Sequence, residues 1–175
     1  MHKERILPHM KIVVFSDSHG KCASMKKIIE RNRSADLFLH LGDGADSFLS
    51  LASEMGVFAR AVRGNCDVWS NSGSIPFTDV FTVEGKKIFM THGHLHSVGA
   101  SRERLILSAR ENEADIVLYG HTHVKENLYI DCFEKPIYLM NPGSIERPRD
   151  GSCSFGYIEI KKGVGVITNT AEFTE

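Results

Sequence analysis

The chain has 175 residues, a net charge of −1, and hydrophobic and charged fractions of 42% and 25%. This length favours one domain with a substantial core, and the composition is ordinary for a globular protein. Lysine and arginine are spread along the chain, which argues against a nucleic-acid or membrane surface. No apolar run approaches the ~20 residues that span a bilayer. The polar start lacks an apolar signal core, so the sequence predicts a cytoplasmic protein.

The first half of the chain alternates strands and helices. Residues 1–9 are predicted to be an N-terminal extension, and residues 10–175 a single domain. β-Branched and apolar runs indicate strands, whereas apolar residues at helical spacing indicate helices. The predicted elements are a strand over 11–15, a helix over 22–33, a strand over 36–40, a helix over 46–55 and a strand over 56–62.

The second half is richer in strands. A loop over 70–76 precedes a predicted hairpin with a Gly turn, and Ser101 is the predicted N-cap of a helix. The predicted elements are strands over 77–83 and 86–90, a helix over 101–113, and strands over 115–119, 124–130, 137–140, 154–160 and 164–168. This order predicts a layered α/β protein with two sheets and outer helices.

Five of the apolar runs end in polar motifs that contain Asp, Asn or His. These motifs are Asp17-Ser18-His19, Gly42-Asp43, Gly64-Asn65-Cys66-Asp67, His92-Gly93-His94 and Gly120-His121-Thr122-His123. Sites in α/β sheets form beyond the carboxyl ends of strands, so the five motifs are expected to converge. In the last motif, two histidines at i and i+2 of an extended segment are predicted to face the same side.

The residue types in these motifs are typical metal ligands. They comprise carboxylates, imidazoles and one amide, without a thiolate cluster, which suits Mn²⁺, Fe or Zn²⁺ better than a Cys-rich structural zinc site. Seven ligands are too many for one tetrahedral ion, but they fit two ions that share a carboxylate. Two-metal sites with ions about 3.5–4 Å apart are suited to in-line attack on phosphorus.

In this order, the motifs resemble those of the calcineurin-like metallophosphoesterase superfamily. The small size, the Gly64-Asn65-Cys66-Asp67 variant and the Asn141-Pro142-Gly143-Ser144 stretch resemble the compact bacterial and archaeal phosphodiesterase subgroup. That subgroup is similar to a retromer scaffold subunit. The resemblance implies a four-layer α/β/β/α sandwich of two mixed β-sheets flanked by helices.

The resemblance also implies roles for the seven ligand candidates. Asp17, His19 and His123 would bind a first metal ion. Asn65, His92 and His121 would bind a second, and Asp43 would bridge the two. Manganese is the implied ion, with Zn²⁺, Fe and Ni²⁺ as alternatives. The implied function is a dinuclear phosphodiesterase in which a metal-bridging hydroxide attacks the phosphodiester.

One position departs from most of the superfamily, where Gly-Asn-His provides a histidine that protonates the leaving oxygen or stabilises the transition state. Cys66 stands there, and a thiol is a weaker donor with a higher pKa. Slow turnover and a preference for good leaving groups are therefore expected. His94 either substitutes as the acid or has a positional or substrate-contact role. Asp67 either orients a ligand histidine through its second ring nitrogen or makes a loop hydrogen bond.

Two further features lie near the motifs. Asp46 is predicted as a helix N-cap rather than a ligand. The stretch from Asn141 to Ser144 is predicted to be a turn near the site, where Ser144 or Arg147 could also touch phosphate.

The alternative function is a scaffold or regulatory protein that keeps this fold with weak or no catalysis. Such relatives typically lose ligands, whereas this chain keeps all seven, which favours the enzyme. A nuclease is disfavoured because the chain has no basic tract. The expected partner is a small phosphodiester substrate, without a membrane or nucleic-acid partner. Exposed hairpin edges would allow a homodimer or a larger homo-oligomer.

Overall fold

A computed structural model describes residues 9–67, 72–131 and 134–174 of the chain. The helices there are α1 (Ala23–Arg31), α2 (Ala45–Met55) and α3 (Glu103–Glu111). The strands are β1 (His9–Phe15), β2 (Leu37–His40), β3 (Ala59–Ala61), β4 (Thr78–Val83), β5 (Lys86–Thr91), β6 (Ile116–Leu118), β7 (Lys125–Ile130), β8 (Ile137–Pro142), β9 (Ser154–Lys161) and β10 (Gly165–Glu172). Short 3₁₀ turns cover Ser72–Ser74 and His94–His96.

The described strands form two five-stranded sheets. The first has the order β10-β9-β1-β2-β3, and the second has the order β4-β5-β6-β8-β7. Each sheet is mixed, because β1, β2 and β3 run parallel while β9 pairs antiparallel with β1. In the second sheet β5, β6 and β8 run parallel, with antiparallel β4 and β7 at the edges.

Alternating side chains along the central strands divide the core into layers. Ile12 and Val14 of β1 point between the sheets, where they pack in one buried cluster with Ile88 and Leu118 of the second sheet. Phe15 lies on the opposite face of the first sheet, in a cluster that includes Met25 and Phe48 of α1 and α2. Val117 packs with Leu105 of α3 on the outer face of the second sheet. The predicted sandwich of two mixed sheets between helical layers is therefore confirmed.

Several predicted boundaries differ from the structure. The strand predicted over 56–62 is only Ala59–Ala61, because residues 56–58 connect it to α2. Helix α3 begins at Glu103 with Arg102 as its N-cap, so the assignment of Ser101 as the cap was wrong. The Oγ of Ser101 instead accepts a 3.4 Å hydrogen bond from the backbone N–H of Glu103.

The N-cap of α2 was also predicted incorrectly. It is Gly44 rather than Asp46, which lies in the first turn, where a carboxylate suits the helix dipole. Gly44 has a φ of +126°, and a Cβ there would lie 2.1 Å from Ser18 Oγ. Only glycine fits this backbone conformation and this close approach.

Two other predictions fall at the edges of the described ranges. Residues 1–8 of the predicted extension lie outside them, and His9 is the first residue of β1. Residues 70 and 71 of the predicted loop also lie outside them. In the described part of the chain, no helix has the length and apolar character to cross a membrane.

Candidate metal centre

The five strand-end motifs meet at one edge of the two sheets. The backbone N–H of Asp17 donates to Gly42 O (3.1 Å) and that of His19 to Asp43 O (2.7 Å), which joins the loops after β1 and β2. In the other sheet, the N–H of Gly120 donates to His92 O at 3.0 Å. The predicted convergence of the motifs is thus present in the structure.

A first group of ligand atoms combines Asp17, His19 and His123. The Nε2 of His123 lies 3.2 Å from Asp17 Oδ1 and 3.4 Å from His19 Nε2. The Nδ1 of His123 donates to Arg147 O at 2.6 Å, which leaves the Nε2 lone pair of the neutral ring free for a cation. Asp17 Oδ1 is buried without a hydrogen-bond partner, and a bound cation would satisfy it.

A second group surrounds His92, which is fully buried. Its Nδ1 donates to Leu41 O at 2.7 Å, so in the neutral ring Nε2 is an acceptor. That nitrogen faces Asn65 Oδ1 at 3.1 Å, Asp43 Oδ2 at 3.5 Å and Asp17 Oδ1 at 3.9 Å. Four acceptor atoms around one point require either a proton on the imidazole or a metal ion between them.

The electrostatics of the centre favour a cation. Burial opposes ionisation of Asp17 and Asp43, but hydrogen bonds and charge from His123 and His92 outweigh it and hold the pKa of each carboxyl below its usual value. Burial also opposes charge on His92, yet the two carboxylates raise its pKa. The hydrogen bond to Asp17 likewise raises the pKa of His123. The carboxylates are therefore ionised, and a metal ion would compete with protons for the histidines.

His121 lies beside the second group. Its backbone N–H donates to Asp17 Oδ2 at 3.1 Å, and its ring packs edge-on against His92 with the ring centroids 5.2 Å apart. The structure therefore brings all seven ligand candidates to one place. Ligand atoms lie close enough to share an ion in three sets, so Asp17, His19 and Asp43 each belong to two of them: Asp17-His19-His123, His19-Asp43-Cys66 and Asp17-Asp43-His92.

The backbone of the ligands was predicted incorrectly. His121 and His123 do not lie in an extended segment, because their φ angles are +70° and +59°. Five of the predicted ligands have left-handed φ values: Asp17, His19, Asp43, His121 and His123. Such strained conformations in non-glycine residues concentrate at functional sites. The conformation of the loops, rather than the alternation of side chains along a strand, therefore determines the direction of these side chains.

Gly120 allows a close approach between the loop after β6 and the end of β1. A Cβ at this position would lie 2.0 Å from Ser16 Oγ and 2.9 Å from Asp17 Oδ2. The Ser16 hydroxyl donates to the same Asp17 oxygen at 2.6 Å. The loop after β6 can reach the end of β1 only because residue 120 has no side chain.

The two acid candidates differ in environment. Cys66 is exposed, and its backbone N–H donates to Asp43 Oδ1 at 2.7 Å. Burial and Asp43 raise the pKa of the thiol to about 11, so the thiol is neutral at pH 7. The Nδ1 of His94 is buried without a partner, and burial together with His92 lowers the pKa of its ring. The rings of His94 and His92 lie 5.4 Å apart between centroids.

Asp67 holds the loop of a ligand in place. Its carboxylate accepts from the backbone N–H groups of Gly44 (2.7 Å), Gly64 (2.8 Å) and Asp43 (2.9 Å). The ring nitrogens of His92 and His123 are oriented instead by backbone carbonyls. These contacts favour a loop hydrogen bond as the role of Asp67 over the orientation of a histidine.

Sequence reasoning missed three residues that support the ligands. Asn141, at the end of β8, donates to Gly120 O at 3.1 Å and Thr122 Oγ1 at 3.0 Å. Ser144 Oγ donates to Asp17 O at 2.9 Å. The sequence predicts a turn here, with Ser144 as a possible phosphate contact, whereas Ser144 is fully buried and its hydroxyl is used by the Asp17 loop.

His40, the third of these residues, was read as part of an apolar strand. It is fully buried, and its Nδ1 accepts from the N–H of Gly42 at 3.1 Å. Its Nε2 lies 3.0 Å from Ser18 Oγ and carries the proton, because Nδ1 accepts. Burial lowers its pKa to about 4. His40 is thus a neutral link between the first two ligand loops.

Two cavities open on the centre. One, of about 460 Å³, includes the start of α2, and the other, of about 340 Å³, includes Arg147 and Arg149. His19, Asp43 and Cys66 line both cavities. A separate cavity of about 480 Å³ lies among charged residues near the end of α3 and contains none of the motifs.

The fold and this centre define a metal-binding α/β protein whose candidate ligands are carboxylates, imidazoles and an amide. The chain belongs to the calcineurin-like phosphoesterase superfamily, whose domain matches residues 10–163. The predicted family is therefore confirmed.

Relatives and solved structures agree with this assignment. The chain is 31% identical to the probable metallophosphoesterase YsnB of Bacillus subtilis over 141 residues, 80% of this chain and 78% of the relative. It is 28% identical to the phosphodiesterase MJ0936 of Methanocaldococcus jannaschii over 168 residues, 87% of this chain and 95% of the relative.

Among solved structures, a predicted phosphoesterase of Streptococcus pneumoniae TIGR4 has a TM-score of 0.74 at 28% identity, covering 94% of this chain and 99% of that chain. Vps29 of Entamoeba histolytica, complexed with Zn²⁺, has a TM-score of 0.71 at 21% identity, covering 94% and 100%. At 21% identity, the similarity to Vps29 shows a shared fold alone and not a shared function.

Proposed function

We propose that this chain is a dinuclear metal-dependent phosphodiesterase acting on small phosphodiesters. The observation that carries the proposal is Asp17 Oδ1, a buried, unpartnered carboxylate oxygen that faces His92 and His123. A phosphodiesterase among the relatives supports the diester specificity. The mixture of oxygen and imidazole ligands suits Mn²⁺, with Zn²⁺, Fe and Ni²⁺ as alternatives.

The proposed centre divides its seven ligands between two ions. Asp17, His19 and His123 would hold one ion, whereas Asn65, His92 and His121 would hold the other, with Asp43 shared. Bound ions at such a site neutralise phosphate charge and lower the pKa of a water to make it a nucleophile near neutral pH.

The protein's own contribution is to hold these ligands in one protonation state. Backbone carbonyls of Leu41 and Arg147 accept the Nδ1 protons of His92 and His123, which keeps both Nε2 lone pairs directed at the centre. His94, whose ring lies beside those of His92 and His121, is our candidate proton donor to the leaving oxygen. The lowered pKa leaves most of the His94 ring unprotonated at pH 7, and the Cys66 thiol holds its proton tightly, so good leaving groups are favoured.

Hydrolysis of bis-p-nitrophenyl phosphate with added Mn²⁺ tests the proposal. We expect EDTA to abolish turnover, and Asp17→Asn and His121→Ala to reduce it by at least about 100-fold. The matched control, His9→Ala, removes a histidine remote from the centre and should retain activity. Elemental analysis should find two ions per chain, and saturation at one ion would contradict a dinuclear site.

The likeness to the Vps29 fold favours the second candidate, a scaffold with weak or no catalysis. The two functions separate in one measurement. A chain that binds Mn²⁺, Zn²⁺, Fe²⁺ or Ni²⁺ stoichiometrically but hydrolyses neither phosphodiesters nor phosphomonoesters would support the scaffold.

A further inference from the structure

The side chains of two arginines beside the metal centre have no role in the proposed chemistry. Arg147 and Arg149 are both exposed. Among residues 9–67, 72–131 and 134–174, no carboxylate forms an ion pair with either guanidinium. By contrast, Arg60 pairs with Asp79 and Arg102 with Glu126. Two guanidinium groups without an ion pair in the described part of the chain, on residues that line one cavity, form a local positive patch on a chain whose net charge is −1.

The backbone that carries these arginines is fastened to the metal ligands. The carbonyl of Arg147 accepts from His123 Nδ1 at 2.6 Å, and its N–H donates to Ser144 Oγ at 2.7 Å. The N–H of Arg149 donates to His123 O at 2.9 Å. Because the backbones of both residues are hydrogen-bonded to His123, that ligand fixes where the two arginines lie beside the metal centre.

Both arginines line the 340 Å³ cavity together with ligand residues. Arg147 also lines the 460 Å³ cavity, whereas Arg149 lines only the smaller one. Arg149 therefore lies on the side of the centre where the smaller cavity opens.

We propose that Arg147 and Arg149 form an anion subsite for a second phosphate of the substrate. This inference rests on the proposed function and narrows the substrate class to phosphodiesters that carry a further phosphate within about one nucleotide of the scissile group. The planar guanidinium fork matches phosphate oxygens in a bidentate manner. The scissile phosphate has the metal centre for charge neutralisation, so the arginines remain available for the second phosphate.

Two matched chromogenic esters test the subsite. These are the p-nitrophenyl ester of thymidine 5′-phosphate and the same ester with an added 3′-phosphate. With Mn²⁺ enzyme, we expect the added phosphate to lower KM about tenfold at similar kcat, the size of one or two charge-assisted contacts at an exposed site. Arg147→Gln and Arg149→Gln should each reduce this preference. Arg104→Gln, an exposed arginine on α3, should retain it.

Several outcomes would overturn the subsite. The two esters could react equally in the unaltered protein, or the arginine variants could lose the same factor on both esters, which would place the guanidiniums on the scissile phosphate. A KM that is much lower still for a dinucleotide or a longer oligonucleotide than for the 3′-phosphorylated ester would point instead to an extended nucleic-acid surface.

A binding measurement separates failure of the subsite from failure of the proposed function. Thymidine 3′,5′-bisphosphate and thymidine 5′-phosphate are each titrated into the Mn²⁺-loaded protein by calorimetry. If neither ester is hydrolysed, the proposed function fails. Even then, tighter binding of the bisphosphate that is lost in Arg149→Gln supports the subsite, and equal binding of the two nucleotides overturns it.

Discussion

Asp17 Oδ1 lies 3.2 Å from His123 Nε2, although the carboxylate follows β1 in one sheet and the imidazole follows β6 in the other. The second oxygen of Asp17 is held by Ser16 Oγ and by the N–H of His121. One carboxylate therefore joins the two sheets at their shared edge. A cation bound there would bind the folded chain selectively, because the unfolded chain does not bring these residues together.

Metal-dependent stability follows from this relationship. Metal at 100 times its dissociation constant should stabilise the fold by about 2.7 kcal/mol. Asp17→Asn should lose most of the Mn²⁺-induced rise in Tm, because an amide is a much weaker ligand than a carboxylate. Thermal unfolding in EDTA and in Mn²⁺ measures this rise. Asp131→Asn, an exposed control, should keep it, and an unchanged rise in Asp17→Asn would remove Asp17 from the ligand set.

Asp67 should matter for stability even without metal. In Asp67→Asn, one carboxylate oxygen becomes an NH₂ group that faces a backbone N–H, so at least one of the three donors from Gly64, Asp43 and Gly44 loses its acceptor. A buried unsatisfied donor costs about 1–3 kcal/mol. Urea unfolding of the metal-free variant checks this value. Metal affinity should fall as well, because the loop of Asp43 loosens, and unchanged urea stability would show that these bonds are weak.

Gly120→Ala should be destabilised by overpacking, by about 1–3 kcal/mol, with loss of metal affinity. Its Cβ would lie 2.0 Å from Ser16 Oγ. In a Ser16→Ala background that atom is absent, and the closest contact becomes Asp17 Oδ2 at 2.9 Å. A double-mutant cycle by denaturant unfolding should therefore show partial rescue. Additive losses would mean that the clash with Ser16 does not limit this position.

Much of the fold was predictable because its signals are local. The β-branched run of β1 and the spacing of Met25 and Ile28 in α1 depend only on neighbouring residues. The sheet order was not predictable: β9 inserts beside β1, and only long-range packing determines that choice. The helix caps failed for a related reason. Gly44 caps α2 because Ser18 leaves no room for a side chain, which is a tertiary contact.

The candidate site was predictable as a set of residues, but not as a geometry. Strand-end motifs identify Asp17 and His123 without any knowledge of the fold. The left-handed φ angles of these two residues could not be predicted, since non-glycine residues rarely adopt that region, although Asp and His do so more often than most. His40 was missed because it continues an apolar run, and only its burial shows that it serves the loops rather than a metal ion.

Burial of His40 predicts a pH dependence of stability. Its pKa is about 4 in the folded chain and ordinarily 6.5, so between these values the unfolded chain binds a proton that the folded chain does not. Stability should therefore fall as the pH drops from 6.5 towards 4 and then level off, a loss of about 3 kcal/mol. His40→Gln should remove this component. Urea unfolding in EDTA at several pH values measures it, and an unchanged slope in the variant would contradict the assignment.

Cys66 offers the sharpest test of the chemistry. Cys66→His places an imidazole on an exposed position whose backbone N–H still donates to Asp43 Oδ1, so the loop should be preserved. A proton donor matters most for poor leaving groups. We therefore expect the rate to rise about 100-fold for alkyl aryl phosphodiesters with an unactivated phenol as the leaving group, and to rise little for bis-p-nitrophenyl phosphate.

The dependence of the rate on leaving-group pKa measures this effect, and it should become shallower in Cys66→His. Cys66→Ser, which keeps the size of the side chain without an acid of suitable pKa, should resemble the unaltered protein. His94→Ala should reduce turnover in the Cys66 protein more than in Cys66→His, because the new imidazole takes over proton donation. Equal losses in both backgrounds would show that His94 contacts substrate or supports the centre rather than donating the proton.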